Sequence, residues 1–242
     1  RPSILSGGWR TRPHRPSCFV RHKGQADALR KPTVGDGNGF ANWILWSHGA
    51  SLLDEKGDVI INSKETIGAL KYLKELYPTF LPGTTAWNDV SNNRAYSAGE
   101  LSLTANGVSL YFSLMRDPAT KPIGDDSEHQ LLPKGVAETA PMGGLALNAM
   151  VFKHTKFPNA AKAFLAFMLE SEQYEPWLNA NSGYWSQPLA AYADAKVWSG
   201  DPKVKLFKDV MKSEFYTDYN GPISQASGAL NAHYVLVDMC RG

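Results

Sequence analysis

Residues that announce chemistry directly are scarce in this chain. Two cysteines occur, Cys18 and Cys240, near opposite ends. They are free to pair, but no Cys-x-x-Cys or comparable spacing surrounds them, so neither zinc ligation nor a redox pair is indicated. The six histidines (14, 22, 48, 129, 154 and 233) never fall at metal-ligand spacing, and no His-Glu-x-x-His is present. Metal catalysis is unsupported, and no cofactor is expected. Gly-x-Ser-x-Gly, Ser-x-x-Lys and kinase signatures are missing too. No run reaches the ~18–20 apolar residues of a membrane-spanning helix. The chain opens at Arg1 without a charged-then-apolar leader, which reads as something other than a complete secretory precursor. With 43% hydrophobic and 20% charged residues over 242 positions, it is neither collagen-like, coiled-coil nor wholly disordered.

Charge of one sign is short in the body and abundant at the start. Residues 1–34 hold eight Lys/Arg against the single acid Asp27, whereas residues 35–242 hold 17 basic and 22 acidic side chains. The net charge of +2 therefore hides a basic opening and a mildly acidic body, and the acidic body argues against a nucleic-acid partner. Residues 1–34 mix Pro, Arg, Ser and His without a period, so a short helix near Gln25–Leu29 is the most expected there. The segment reads as foreign to the fold, with residues 35–242 forming its body.

From Gly35 the pattern becomes that of a folded chain. Gly35-Asp36-Gly37-Asn38-Gly39 lacks the Lys-Ser/Thr and preceding strand of a phosphate loop and reads as a tight turn. A helical or buried segment, Phe40–Trp46, follows it. Leu52-Leu53 and Val59–Ile61 flank a polar glycine turn, as in a hairpin. Asn62 and Glu65 suggest a capping box for a helix with Ile67, Leu70, Leu73, Leu76 and Tyr77 on one face. Further helices are expected over Val90–Ser97, from Pro158 to Met168, from a Ser171 cap to about Asn181, after Asp201-Pro202 with Val204, Phe207, Val210 and Met211 on one face, and over Ala226–Met239. Strands are expected at Leu101–Ala105 and Leu145–Phe152, with 117–135 as loop. The alternation defines an α/β fold class. Asp125-Asp126 and Glu170/Glu172 sit where solvated carboxylates are the default, so nothing favours an enzyme.

Aromatics are plentiful: seven Trp, ten Tyr and ten Phe. Several stand beside short polar residues, in Asn42-Trp43, Trp87-Asn88-Asp89 and Gly183-Tyr184-Trp185-Ser186-Gln187. Sugars present apolar C–H faces and a hydroxyl rim, so their receptors combine flat rings with polar donors and acceptors.

Four segments in order carry a resemblance: Trp43…Trp46-Ser47-His48-Gly49-Ala50 leading to Leu53-Asp54-Glu55-Lys56-Gly57 and the Ile67–Tyr77 helix; Ala95-Tyr96-Ser97-Ala98-Gly99-Glu100 running to Asn106-Gly107; Gly143-Gly144-Leu145-Ala146-Leu147; and Phe157-Pro158 to Met168. From Gly35 to Met239 the chain resembles the C-terminal half or more of an extracellular solute-binding protein of an ABC sugar importer, in the family of maltose-binding protein. The resemblance implies a two-lobed periplasmic-binding-protein-like (class II) fold with most of the first lobe missing. The second lobe and lobe-crossing segments near 132–190 would then make up 35–242. It implies an interlobe cleft that closes about a hinge, a sugar or polyol ligand, a membrane permease as partner, a monomer when complete and a periplasmic or extracellular location. Carried over by position, the ligand contacts would be Phe40, Trp43, Trp87, Asp89, Asn106, Ser109, Gly143, Gly144, Tyr184 and Trp185. Val108-Ser109 stands where some relatives have a Trp after the Asn-Gly. Bare backbone at 143–144 would let a hydroxyl-rich ligand approach N–H groups. A carbohydrate-active enzyme and a truncated or frame-damaged copy are the alternatives. In the latter, Leu145–Met168 would keep an uncovered apolar face and the chain would aggregate.

Overall fold

The computed structural model describes residues 25–26, 35–138, 142–143, 148–186, 189–208, 215–216 and 224–241. In chain order its elements are β1 (Gln25–Ala26), α1 (Gly35–Ser47), α2 (Lys64–Leu76), α3 (Ser91–Ser97), β2 (Leu103–Thr104), α4 (Ser109–Arg116), α5 (Lys121–Asp126), β3 (Met142–Gly143), α6 (Pro158–Met168), α7 (Ser171–Ala180), α8 (Lys196–Ser199), α9 (Lys205–Lys208), β4 (Phe215–Tyr216), α10 (Gln225–Ala232) and α11 (Val235–Arg241). The chain divides into two units, one of residues 1–106, 131–144 and 214–242 and one of residues 107–130 and 145–213. Helices dominate, and the described strands form two parallel pairs, β1 with β2 (Gln25 opposite Leu103) and β3 with β4 (Met142 opposite Phe215). Among the described residues the expected α/β alternation is helix-rich, with strands of two residues each. Gln25–Ala26 are strand rather than helix, because a partner ladder at Leu103–Thr104 is available to them.

The first unit is built around α1. Phe40, Ala41, Trp43, Ile44, Leu45 and Trp46 are all buried, as are Asn38, Asn42 and Ser47. A helix covered on every side needs apolar residues all round, which is what Phe40–Trp46 supplies. Its first turns use the glycine-rich stretch expected to be a tight turn. Each helical glycine costs about 1 kcal/mol relative to Ala, and burial of the following rings outweighs that cost. Leu73 and Ala69 of α2, Phe80, and Leu236 and Val237 of α11 cover α1. The Asn38 side-chain amide donates to the Asn231 backbone carbonyl (3.0 Å) and side-chain oxygen (2.8 Å), joining α1 to α10. Near the end of α1, a Cβ on Gly135 would lie 2.0 Å from the Ser47 carbonyl oxygen, so only glycine permits that close approach.

Several local expectations shift by a residue or a face. The hairpin at 52–61 is present as a single antiparallel bridge, Leu53 to Val59. The Asp54 carboxylate accepts from the Lys56 and Asp58 amides across its turn. Ser63, not Asn62, caps α2, accepting from the Thr66 amide at 3.1 Å. The buried face of α2 is Thr66, Ala69 and Leu73, while Ile67 is 50% exposed. The 117–135 segment contains α5, whose Pro122 sits in the first turn, where the missing N–H has no partner to lose. Glu170 occupies the cap position expected for Ser171. The expected Ala226–Met239 helix is two helices, split where Tyr234 takes φ +56°. That break lets Leu236 and Val237 face α1. Asn148–Phe152 is irregular, and residues 145–147 of the expected strand lie outside the described residues, as do Val210 and Met211.

The second unit has two small aromatic cores that share Phe207: Tyr174, Leu178, Tyr192, Ala195 and Trp198 in one, Val108, Tyr111 and Val204 in the other. The Tyr111 hydroxyl donates to Asp201. The Asp201 carboxylate also accepts from the Lys203 amide at 2.9 Å. Lys203 Nζ donates to the carbonyls of Asp125 (2.6 Å) and Ser127 (2.7 Å), closing the end of α5. The His129 ring packs edge-on against Tyr111 and Phe207. Helix α6 contributes no buried residue. Phe157, Phe164, Phe167 and Met168, at helical spacing, form an exposed apolar stripe.

Two outcomes follow from this packing. Leu73→Ala should cost about 2–5 kcal/mol in urea unfolding, whereas Ile67→Ala should cost less than about 1 kcal/mol. Equal losses would contradict the face assigned to α2. The α6 stripe should drive concentration-dependent self-association in analytical ultracentrifugation, reduced by Phe164→Glu without a lower Tm. A parent chain that sediments as a monomer at every concentration would contradict this.

Candidate functional site

The sequence-predicted residues separate into core and surface groups. Phe40 and Trp43 are each 7% exposed, with ring centroids 5.5 Å apart inside the first unit's core. Trp43 Nε1 donates to the Pro133 carbonyl at 3.2 Å. Both rings are occupied by core contacts, since a helix buried all round leaves neither a free face. Gly143 lies in β3, paired with Tyr216, and Gly144 lies outside the described residues.

Trp87 and Asp89 form a surface group in the first unit. The turn Thr84–Ala86 ends with the Trp87 amide donating to the Thr84 carbonyl at 3.0 Å. The Trp87 ring is half-buried against Ala95, Leu101, Leu81 and Tyr96. Asn88 then organises the loop: its side-chain oxygen accepts from the Val90 amide (3.3 Å) and the Ser91 hydroxyl (2.9 Å), leaving Asp89 exposed between them. Asp36, in the first turn of α1, belongs to this neighbourhood and was not anticipated, because the glycine-rich stretch around it reads locally as a turn. Its carboxyl is pushed up to about 6, chiefly by desolvation and secondarily by the Asp89 carboxylate. Asn106 is exposed and its amide donates to the Asn93 side-chain oxygen.

In the second unit Ser109 opens α4 and is half-buried. Tyr184 and Trp185 are the sequence-predicted pair that the structure brings together, with ring centroids 5.0 Å apart and planes at 75°. Tyr184 is 54% exposed and Trp185 half-buried. They follow a helix end in which the Ser182 amide donates to the Asn179 carbonyl and the Gly183 amide to the Leu178 carbonyl, both at 3.1 Å. Those two bonds define a Schellman C-cap, with a left-handed residue just past the cap. Here Ser182 (φ +56°) and Gly183 (φ +69°) are both left-handed. A Cβ on Gly183 would lie 2.5 Å from the Trp198 ring, so glycine is required there. The Arg116 guanidinium donates to the Ser182 hydroxyl at 2.6 Å. Neither Arg116 nor Ser182 carries a sequence signal beyond the helix-ending Asn-Ser-Gly, because their meeting spans 66 positions.

Among the described residues no group of three or more His, Cys, Asp and Glu is arranged to hold a metal ion. No described helix is long and apolar enough to cross a membrane. Cys240 packs half-buried against the first unit's core, and burial pushes its thiol up to about 11; Cys18 lies outside the described residues.

Tyr184 and Trp185 thus form an aromatic pair beside the short polar side chains of Asn181 and Ser182. Residues 23–205 match the family described as bacterial extracellular solute-binding protein, and the chain belongs to that family. Its members are binding proteins, not enzymes. The match starts at residue 23 rather than at Gly35, and β1 within it pairs with β2. The curated proteins include no match. Two solved structures share the fold, both of a candidate oligosaccharide periplasmic-binding protein from Synechococcus sp. MITs9220, one of them in complex with zinc. They are 13% identical to this chain, with TM-scores of 0.60 and 0.59, and the alignments cover 92% of this chain. The chain spans 62% of the length of those structures.

Asp36 offers a pH test. Its folded-state pKa, raised above the ordinary carboxylate value of 3.8, means that ionisation is harder in the folded chain, so its contribution to stability declines as pH rises from about 4 to 6. Asp36→Asn should therefore raise Tm relative to the parent at pH 7, with the gain vanishing near pH 4. A gain independent of pH would contradict the raised pKa of Asp36.

Proposed function

We propose that the chain is the sugar-binding component of an ABC importer, taking a sugar or oligosaccharide outside the cytoplasm and delivering it to a membrane permease. The observation that carries this reading is the Tyr184–Trp185 pair, held edge-to-face with Tyr184 open to solvent. Stacking on a sugar's C–H face needs such a ring, and neighbouring polar groups orient the hydroxyls. Family membership supports a solute ligand, and the oligosaccharide description of the two solved relatives supports a sugar as that solute. The proposed contacts are Trp87, Asp89 and Asn106 in the first unit and Ser109, Tyr184 and Trp185 in the second, with the backbone at Gly143 and Gly144. Phe40 and Trp43 are proposed as core supports rather than contacts, given their burial.

Isothermal titration of the chain against a panel of mono- and oligosaccharides tests the reading. Binding to at least one sugar is expected, with Tyr184→Ala and Trp87→Ala each weakening it about tenfold, the equivalent of about 1.4 kcal/mol. Absence of heat with every sugar from a folded chain would overturn it.

A further inference from the structure

We propose that Arg116 and Ser182 are positioning residues that hold the Tyr184–Trp185 pair ready for ligand, an inference that rests on the sugar-binding reading of that pair. The residue just past the cap of a Schellman turn is usually glycine, which adopts the left-handed conformation without a Cβ penalty. After α7 the order is reversed: serine takes that place at φ +56° and glycine follows it, also left-handed at φ +69°. Gly183 is accounted for by Trp198, whose ring lies where any Cβ would sit. Ser182 is not accounted for by backbone geometry, since glycine would fit the same turn with less strain. Its hydroxyl is what glycine lacks. That hydroxyl is buried and accepts a short charge-assisted hydrogen bond from Arg116, at the last turn of α4. Strained residues of this kind persist where neighbouring contacts over-determine them, and they cluster at ligand clamps.

The consequence reaches both rings through the backbone. Two successive left-handed residues reverse the chain after Asn181. The Tyr184 amide then donates to the Asn181 carbonyl (3.1 Å) and the Trp185 amide to the Asn181 side-chain oxygen (3.3 Å). The Asn181 side-chain amide is itself anchored on the Trp177 carbonyl at 3.0 Å. Every residue from Asn181 to Trp185 is thus tied to α7, and the Arg116 bond ties that turn to α4. A pair fixed before ligand arrives loses little freedom on binding, so the bond acts on affinity more than on folding.

The full chain, its Ser182→Gly and Arg116→Gln variants and Tyr184→Ala are compared by sugar titration, thermal melting and near-ultraviolet circular dichroism. Ser182→Gly should melt at or above the parent temperature, because glycine relieves the strained φ, yet bind sugar about five- to tenfold more weakly and lose the aromatic dichroic signal. Arg116→Gln should weaken binding to a similar extent, Arg116→Lys should restore part of it, and the double variant should bind no worse than either single one. If the parent binds sugar and Tyr184→Ala weakens it, while Ser182→Gly and Arg116→Gln bind like the parent, the positioning role is overturned and the sugar site stands. If the parent binds no sugar, the functional reading falls. An aromatic signal unchanged in Ser182→Gly and Arg116→Gln then overturns the positioning role as well, and a signal lost in both upholds it.

Discussion

Complete coverage of α1 is the constraint from which the first unit is organised. A helix carrying two Trp, a Phe, an Ile and a Leu within seven positions has no side that water can face cheaply, so α2, α11, Phe80 and the 131–137 segment must all lie against it. Three glycines in its opening turns are tolerated for the same reason, because the free energy of burying the rings exceeds their helix penalty. Gly135 has no freedom to carry a side chain, since the Ser47 carbonyl occupies the space. Even the break at Tyr234 serves α1, turning α11 so that its two buried aliphatic residues reach it.

The second unit is held differently, by polar ties between small aromatic cores. Tyr111 to Asp201, Lys203 to the carbonyls at the end of α5, and Arg116 to Ser182 each join segments that are distant in sequence. Such bonds orient elements more sharply than apolar contacts do, because hydrogen bonding is directional and burial is not. This suits a unit whose proposed task depends on the placement of two rings. The bare α6 stripe stands apart, since no described residue of that helix is buried.

Legibility in the sequence followed the range of the interactions concerned. The α6 boundaries and the turn at Asp54–Gly57 were readable because proline at a helix start and an Asx turn act within a few residues. The capping residue of α2 was missed by one position, since Asn62 and Ser63 are both good caps and only the entry of the chain chooses between them. The apolar face of α2 was misjudged at Ile67 because periodicity names a stripe without naming its partner. In the candidate site, Tyr184 and Trp185 were readable as adjacent aromatics after a helix-ending glycine. Trp43 carried the same local signature beside Asn42, and it is core. Asp36, Arg116 and Ser182 left no local trace, because each matters through a residue far along the chain.

The sequence by itself determined the family, the order of most helices, the absence of metal-site and nucleophile motifs, and the supply of aromatic rings beside polar groups. These depend on composition and on spacings of a few residues, which the chain carries wherever it folds. Tertiary structure alone decided which rings are core and which meet solvent, and that a left-handed serine is pinned by an arginine 66 positions away. Burial and long-range hydrogen bonds are properties of what lies on the other side of a residue, and that is settled only when the distant segments meet.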